Sequence, residues 1–302
     1  RVAVRPGKNR WGNRNGEVTE VLERNTIRFV GTLEEEGGFV FLRPDDFRCY
    51  TDFIINREDE AAAKEHLGEK AIVEMTRWSR PTKNPLAHLL ETFGAAGEHE
   101  TEMKSIVASK GFDWHFPKAV EAEAEEIVKN QAAFFAQETA RRKDMRGVPT
   151  FTIDPADAKD FDDAISIREL PNGHIELGVH IADVSAYLKD GSAMDAEAQH
   201  RATSIYLVDR TIPMLPEELS NNLCSLVPNE DRLAMSAIFE ISTEGDVYER
   251  WFGETAIRSD RRFSYKEAQD VLTAGRGELF EELLTADTIA RNLREVRFRN
   301  GS

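Results

Sequence analysis

The sequence has few of the residues that build disulfide frameworks and transition-metal sites. Its two cysteines, Cys49 and Cys224, lie far apart and outside any CxxC spacing, which argues against a disulfide network or a structural zinc site. Its seven histidines form no HExxH-type pair. Any bound metal is therefore expected to have oxygen ligands, and the cysteines are expected to be reduced, inert thiols.

Long apolar runs are also absent from the sequence. It has no stretch of about 18 apolar residues, and its basic first residues are not followed by the apolar segment of a secretory signal. We therefore expect a cytoplasmic protein without membrane contact. A chain of 302 residues is longer than one core usually supports, so we expect two or three domains of about 70–150 residues.

The net charge is −16, although proteins that contact phosphates usually have an excess of Lys and Arg. Residues 1–90 carry 15 basic and 15 acidic side chains, so the whole acidic excess lies downstream. Local basic grooves are compatible with this distribution, and the net charge does not exclude nucleic acid as a partner.

The first third of the chain has the pattern of a small β-barrel. Short runs of β-type composition occur at 26–33, 38–42, 51–55 and 71–76. Several short strands within about 65 residues leave too many open edges in a flat sheet, so we predict a closed OB-type barrel over 26–94. Residues 1–25 are basic and glycine-containing, and we expect a mobile lead-in or the remnant of a preceding barrel.

Two aromatic residues of this barrel are candidate RNA contacts. Phe39 and Phe41 lie on one face of a strand, because side chains alternate with period two. In a cold-shock type barrel such a face stacks bases, whereas the alternative is that both rings fill the core. Spacing alone favours the core.

Helical and then mixed patterns follow the barrel. Over 95–147, Pro117 can begin a helix and an apolar stripe from Val120 to Phe135 continues it for six to seven turns, so we predict a helical linker. From residue 148 to 302 strands and helices are mixed, with an Asn172-Gly173 hairpin turn. The predicted fold class is multidomain: an all-β OB-fold barrel, a helical linker, and an α+β domain.

The most specific chemical feature is a segment with five aspartates in ten positions, from Asp154 to Asp163. Carboxylates this close repel each other, and a hard cation such as Mg²⁺ would neutralise them. A solvated acidic turn is one alternative. A calcium loop is another, although alanines occupy two of its ligand positions, and a phosphatase-type Asp160-x-Asp162 lacks the expected hydroxyl residue two places later.

Several blocks of sequence resemble the ribonuclease II/R (RNB) family in order and spacing. They are 152–154 (TID), 160–164 (DFDDA), 179–185 (VHIADVS), 201–207 (RATSIYL) and 212–226 (IPMLPEELSNNLCSL). Upstream, 29–33 (FVGTL), 39–46 (FVFLRPDD) and 84–86 (NPL) are similar to the second cold-shock barrel of the ribonuclease R branch. The resemblance implies a cold-shock-type RNA-binding barrel over 26–94 and the N-terminal part of an RNB catalytic domain over 148–302.

The resemblance also implies an activity and a site. It implies a processive, Mg²⁺-dependent hydrolase that degrades single-stranded or structured RNA from the 3′ end and releases nucleoside 5′-monophosphates. Asp154, Asp160 and Asp163 match the metal ligands, Asp162 matches the essential catalytic aspartate, and Tyr206 matches the aromatic residue that holds the terminal nucleotide. We call the four aspartates together the carboxylate cluster. His180 and Asp183 are interpreted as structural, and Arg201 as a surface ion pair.

The chain also departs from the family pattern. The later catalytic glutamate and arginine, the second aromatic clamp residue and the S1 barrel are not located in residues 1–302. We therefore expect a monomeric fragment that is inactive or nearly so, because phosphoryl transfer depends on such charges. The alternatives from other classes are a non-catalytic RNA-binding module and a calcium-stabilised structural protein.

Overall fold

The protein divides into two compact units. The computed structural model describes residues 1–8, 14–22, 27–78 and 83–301. One unit is Arg1–His115 and the other is Phe116–Ser302, so the multidomain prediction is confirmed. The division falls inside the predicted linker 95–147, whose first part belongs to the first unit and whose second part belongs to the second.

The chain begins with a hairpin that the sequence analysis did not predict. Strands β1 (Val2–Lys8) and β2 (Arg14–Val21) pair antiparallel, with Lys8 opposite Arg14. Few apolar residues mark these strands, so the sequence pattern predicts only a lead-in or the remnant of a preceding barrel over 1–25, of which 9–13 and 23–25 lie outside the described residues.

Five strands close the predicted barrel. They are β3 (Arg28–Glu36), β4 (Phe39–Pro44), β5 (Phe53–Ile55), β6 (Glu69–Arg77) and β7 (Leu86–Ala95), in the order β3-β4-β5-β7-β6. Pairing of β3 with β6 closes the ring, and β5 and β7 run parallel. The short helix α1 (Glu60–Glu65) lies between β5 and β6. This topology is that of an OB-fold, as predicted.

Inward-facing apolar side chains hold the barrel together. Leu33, Leu42 and Val73 are fully buried in its core beside Val40 and Phe53. A Cβ at Gly31 would lie 2.0 Å from the carbonyl oxygen of Arg43, so the close approach of β3 to β4 requires glycine there. Strand β7 pairs with β6 through three register shifts, and such irregularity hides the period-two pattern in the sequence.

Two helices form the predicted helical linker. Helix α2 (His99–Ser109) packs against the barrel strands of the first unit. Helix α3 (Lys118–Thr139) has 22 residues and begins after Pro117, which agrees with the predicted length and start. Its buried face carries Val120 and Ala124 into the core of the second unit.

The second unit is built on a seven-stranded mixed sheet. Its strands are β8 (Lys143–Asp144), β9 (Thr150–Asp154), β10 (Asp163–Glu169), β11 (Ile175–Ala182), β14 (Asp231–Ile241), β15 (Val247–Arg258) and β16 (Arg261–Ser264), in the order β16-β9-β10-β11-β14-β15-β8. The predicted hairpin joins β10 to β11, with Gly173 at a positive φ in its turn. A small pair, β12 (Ile205–Tyr206) and β13 (Thr211–Ile212), stands apart. The α+β prediction is confirmed.

Helices cover this sheet. Helix α4 (Ala193–Arg201) packs on α3, whereas α5 (Tyr265–Ala274) and α6 (Phe280–Arg299) pack near β9, β10 and β16. Ser264 and Glu267 form a capping box at the start of α5. Helices α5 and α6 therefore lie against the strands that lead into and out of the aspartate-rich segment.

A buried ionic network joins α3 to the sheet. The guanidinium of Arg142, whose side chain is fully buried, donates to Glu138 Oε2 at 2.9 Å and to Asp183 Oδ2 at 2.7 Å. Burial raises the pKa of Glu138, but the hydrogen bonds from Arg141 and Arg142 outweigh it, so the pKa is lowered overall. Asp183 also accepts from the backbone N–H of Ala186 and so begins a short 3₁₀ turn after β11.

Replacing Arg142 by alanine should destabilise the second unit by about 3–5 kcal/mol, because Asp183 would remain buried without its ion-pair partner and Glu138 would keep only Arg141. Two measurements test this: urea unfolding gives the free energy of unfolding, and hydrogen exchange reports the protection of the β11 amides. The matched control is Arg168→Ala, which removes an exposed pair with Glu176 and should cost less than about 1 kcal/mol. Equal effects of the two variants would contradict the prediction.

Candidate active site

The carboxylate cluster lies where two central strands meet a loop. Asp154 is the last residue of β9 and Asp163 is the first of β10, and the intervening residues 155–162, here called the carboxylate loop, carry Asp160 and Asp162. Asp154 is 8% exposed. Asp160 is half-buried, and Asp162 and Asp163 are open to solvent. One carboxylate is thus fixed in the protein and three face outward.

The aspartates of the cluster act on one another electrostatically. Desolvation by the surrounding protein raises the pKa of Asp162, and the charges of Asp160, Asp163 and Asp154 raise it further. The Asp162 side chain remains accessible to solvent, so its carboxylate is flanked by protein without being enclosed. Burial also raises the pKa of Asp154, with a further contribution from Asp163 and Asp160. The loop therefore concentrates negative charge, as the sequence predicted.

Three buried polar atoms beside the cluster have no hydrogen-bond partner within the described part of the chain. They are Asp154 Oδ2, Thr152 Oγ1 and Arg262 Nε. The register of β9 against β16 places Thr152 opposite Arg262 and Asp154 opposite Ser264. Thr152 and Arg262 both lower the pKa of Asp154, although the Thr152 and Asp154 oxygens do not meet the geometry of a hydrogen bond. Unpaired buried polar atoms are costly, so this corner of the site suits an additional polar group.

The donor set fits a hard divalent cation in its chemistry. All four candidates are carboxylates, the ligands that Mg²⁺ prefers, and Asp154 Oδ2 is buried and unpaired. Within the described residues, no three His, Cys, Asp or Glu side chains already stand in a metal-binding group. Ion binding by the three predicted ligands would therefore require the side chains of Asp160 and Asp163 to turn towards Asp154.

The structure places Tyr206 next to the cluster. Its hydroxyl donates to Asp160 Oδ2 at 3.1 Å, although 46 residues separate the two in sequence. Burial and this hydrogen bond raise the pKa of Tyr206. The ring itself is 67% exposed. An accessible aromatic face therefore lies next to the carboxylates.

The two candidate phenylalanines of the barrel differ. Phe39 is 62% exposed, whereas Phe41 is only 8% exposed, with the guanidinium of Arg43 5.9 Å from its ring centre. Phe41 offers little surface to a base. It is nevertheless not part of the barrel core, because Val40 and Leu42 of the same strand point into that core and side chains alternate along a strand. Sequence reasoning missed Phe47 and Tyr50, which are 93% and 84% exposed in the loop after β4. Aromatic residues in an otherwise polar segment were the signal that could have indicated them.

The histidine and cysteine side chains near the site have structural surroundings. Fully buried His180 is hydrogen-bonded through Nδ1 to Ser236 Oγ at 2.6 Å and through Nε2 to Ser166 Oγ at 2.9 Å. Burial lowers the pKa of His180 to about 4, and burial raises the pKa of Cys224 to about 12. Neither suits proton transfer or nucleophilic attack near neutral pH.

Asp183 and Arg201 also make structural contacts. Asp183 belongs to the ionic network described above. Arg201 pairs with Glu197 at 2.7 Å and stacks 3.9 Å above the ring of Phe116. Because Arg201 is 3% exposed, its ion pair is buried and not on the surface as the sequence analysis expected.

Sequence reasoning missed two further residues that contact the carboxylate loop. Ser225 and Arg262 hydrogen-bond to its backbone from distant parts of the chain. Their partners are main-chain atoms, and no spacing rule in the sequence indicates such contacts.

Comparisons with known proteins agree with this architecture. A profile described as "RNB domain" matches residues 142–302, and one described as "Cold shock domain" matches residues 41–117. Ribonuclease R of Thermotoga maritima is 40% identical over 294 residues, which cover 95% of this chain and 41% of that protein. "Inactive exonuclease DIS3L2" of Arabidopsis thaliana is 31% identical, covering 95% of this chain and 32% of that protein.

A solved structure shows the same fold. Mycoplasma genitalium RNase R in complex with ribose-methylated single-stranded RNA has a TM-score of 0.88 and 25% identity, over all of this chain and 48% of that one. The chain thus spans less than half the length of these similar proteins. Among the residues that the structure describes, none of the helices is long and apolar enough to span a membrane.

The buried histidine predicts a pH effect on stability. His180 has a pKa of about 4 in the folded protein and about 6.5 when unfolded. Between these values the unfolded state takes up the proton first, so stability falls as the pH drops from about 6.5 to 4, by roughly 3 kcal/mol in total. Above pH 6.5 both states are neutral and the effect vanishes.

The measurement is urea unfolding of the unaltered chain and of His180→Asn at pH 7 and pH 4.5. The variant lacks the protonation, so the stability difference between the two proteins should shrink at the lower pH. A difference that stays constant would contradict the assigned pKa.

Proposed function

Since the chain belongs to the ribonuclease II/R (RNB) family, in its ribonuclease R branch, we propose that its protein is a Mg²⁺-dependent, processive 3′-to-5′ exoribonuclease that releases nucleoside 5′-monophosphates. The observation that carries the proposal is the crowding of the carboxylate cluster, in which desolvation and the charges of three other aspartates raise the pKa of Asp162. Such a site suits a cation and a phosphodiester better than it suits solvent.

The residues of the cluster have separate roles in this proposal. Asp154, Asp160 and Asp163 hold Mg²⁺, which when bound neutralises charge on the phosphodiester and lowers the pKa of water. Asp162 is accessible and has a raised proton affinity, so it accepts the proton of the attacking water. Asp154 is the fixed ligand because it ends a central strand, and the accessible aspartates complete the set.

Tyr206 holds the 3′-terminal nucleotide in this proposal. Its ring is two-thirds exposed while its hydroxyl is anchored on Asp160. A base stacked on that ring lies beside the carboxylates, and stacking does not discriminate between bases. This arrangement fits an enzyme that removes nucleotides one after another from any sequence.

The barrel supplies RNA contacts at a second place. Phe39 presents an open ring, and Phe47 and Tyr50 present two more on the same unit. Aromatic rings near cations are typical of single-strand binding by OB-folds, and Arg43 and Arg48 supply the cations. We assign base stacking to Phe39 and a mainly packing role to Phe41.

A non-catalytic RNA-binding module is the second candidate. It is favoured by the 31% identity to a protein named as an inactive exonuclease and by the absence of a preassembled metal group among the described residues. We propose that the 302-residue chain by itself is inactive or nearly so, monomeric and cytoplasmic. Multiple turnover of labelled RNA by this chain would overturn the inactivity.

Replacing Asp162 by asparagine in the natural-length protein should lower RNA hydrolysis by at least about 100-fold, because a charged group at the reacting phosphate is lost. The assay is release of labelled nucleoside monophosphate from uniformly labelled RNA with Mg²⁺. The matched control is Asp157→Asn, which removes the same charge from an exposed position of the same loop and should retain activity.

Full activity of Asp162→Asn would rule out the catalytic role. If both variants and the unaltered protein bind RNA without hydrolysing it, the binding-module candidate is favoured. Stabilisation by Ca²⁺ and not by Mg²⁺, without hydrolysis, would favour the calcium-bound structural protein.

Replacing Tyr206 by alanine should weaken binding of a short single-stranded RNA by about 1–3 kcal/mol, the usual contribution of one stacked base. Tyr206→Phe keeps the ring and removes only the hydrogen bond to Asp160, so its affinity should stay close to that of the unaltered protein. Fluorescence anisotropy of labelled RNA measures both. Equal losses in the two variants would assign the effect to the hydroxyl and contradict stacking.

A further inference from the structure

The carboxylate loop needs restraint, because its charges repel one another. Repulsion alone would drive the aspartates apart and raise the cost of gathering them around a cation. Backbone atoms at both ends of the loop are fixed by side chains from elsewhere in the second unit. These contacts come from Ser225, after the segment 219–223, and from Arg262 on β16.

Ser225 fixes the second half of the loop with one hydroxyl. Its Oγ donates to the carbonyl oxygen of Lys159 and accepts from the backbone N–H of Phe161, both at 2.9 Å. The N–H of Leu226 donates to the Phe161 carbonyl at 2.9 Å. Lys159 and Phe161, on either side of Asp160, are therefore held through their backbone atoms. The buried ring of Phe161 also packs in a hydrophobic core of the second unit.

The position of Ser225 is itself determined by the sheet. Arg232, on β14, donates from Nε to the carbonyl oxygens of Ser225 at 2.9 Å and Asn222 at 3.2 Å. Ser225 is fully buried and Arg232 is 7% exposed. Strand β14, through Arg232, thus positions the Ser225 hydroxyl that contacts the loop.

Arg262 fixes the first half of the loop. Its Nη2 donates to the carbonyl oxygens of Pro155 at 2.5 Å and Ala156 at 2.8 Å. The guanidinium lies 5.4 Å from the centre of the Phe161 ring. The two residues that directly follow Asp154 are therefore held by a strand that pairs with β9.

We propose that Ser225 and Arg262 are positioning residues, which hold the carboxylate loop so that its aspartates can face one divalent cation together with Asp154. The inference rests on the proposed function and adds to it the device that keeps the repelling side chains in place. Neither residue contacts the reacting atoms in this assignment. Both act through the backbone of the loop.

The first test is hydrogen exchange of the metal-free chain. Ser225→Ala removes both contacts to the loop, so peptides covering residues 156–162 should exchange at least about tenfold faster while the rest of the second unit keeps its protection. The control is Ser236→Ala, another buried serine with two side-chain partners, His180 and Thr255, and no contact with the loop. Unchanged exchange of residues 156–162 in Ser225→Ala would overturn the proposal.

The second test is Mn²⁺ binding, followed through the paramagnetic resonance signal of the free ion. Ser225→Ala and Arg262→Gln should weaken binding by about 10- to 100-fold, as is usual when a group that orients metal ligands is lost. For Arg262→Gln, the direction of the change in Mn²⁺ affinity distinguishes positioning from electrostatics. Removing a positive charge beside a cation site should strengthen binding if only electrostatics mattered, so weaker binding shows positioning.

The control for charge is Arg261→Gln, the neighbouring residue, which pairs with Glu278 and does not contact the loop. It should bind Mn²⁺ as well as the unaltered chain or better. Binding by Arg262→Gln that matches this control would overturn the role of Arg262. If the unaltered chain binds no Mn²⁺, the metal site of the proposed function fails, whereas the exchange experiment still decides on the positioning residues.

Discussion

Repulsion among carboxylates that share one short loop is the constraint on which the second unit depends. Burial and the charges of neighbouring aspartates raise the pKa of Asp154 and the pKa of Asp162. A loop free to move would relieve this by letting the side chains drift into water. The sheet prevents it, because the loop starts and ends on adjacent central strands, β9 and β10. The charge is therefore retained where an ion can use it.

The surroundings of the cluster show how that restraint is distributed. Strand β16 lies parallel to β9 on one side, and β10 connects through β11 to β14 on the other. The buried network around Arg142 then ties β11 to helix α3. Removing either partner of such a network exposes the other to an apolar interior. The exposed ring of Tyr206 lies on the solvent-accessible side of the site, next to Asp160.

Much of this could be predicted from the sequence. Strand and helix patterns gave the barrel topology, helix α3 and the β10–β11 hairpin, because each depends on local periodicity or on one turn. Five aspartates in ten positions indicated the site. The hairpin β1–β2 and the bulged strand β7 were missed, since their apolar pattern is weak or interrupted. The difference in exposure between Phe39 and Phe41 was not predicted, because alternation gives the face of a strand and not what covers it. The contacts of Ser225, Arg262 and Tyr206 depend on tertiary structure alone.

The pairing of β16 with β9 also has a bearing on synthesis. Arg262 contacts Pro155 although 107 positions separate them in the chain. The aspartates are therefore synthesised well before the arginine that restrains their loop. At about 5–20 residues per second, the interval is on the order of 5–20 seconds. During that time the nascent polypeptide carries the acidic loop without its last restraint. The carboxylate loop is therefore fully restrained only after a strand made much later has joined the sheet.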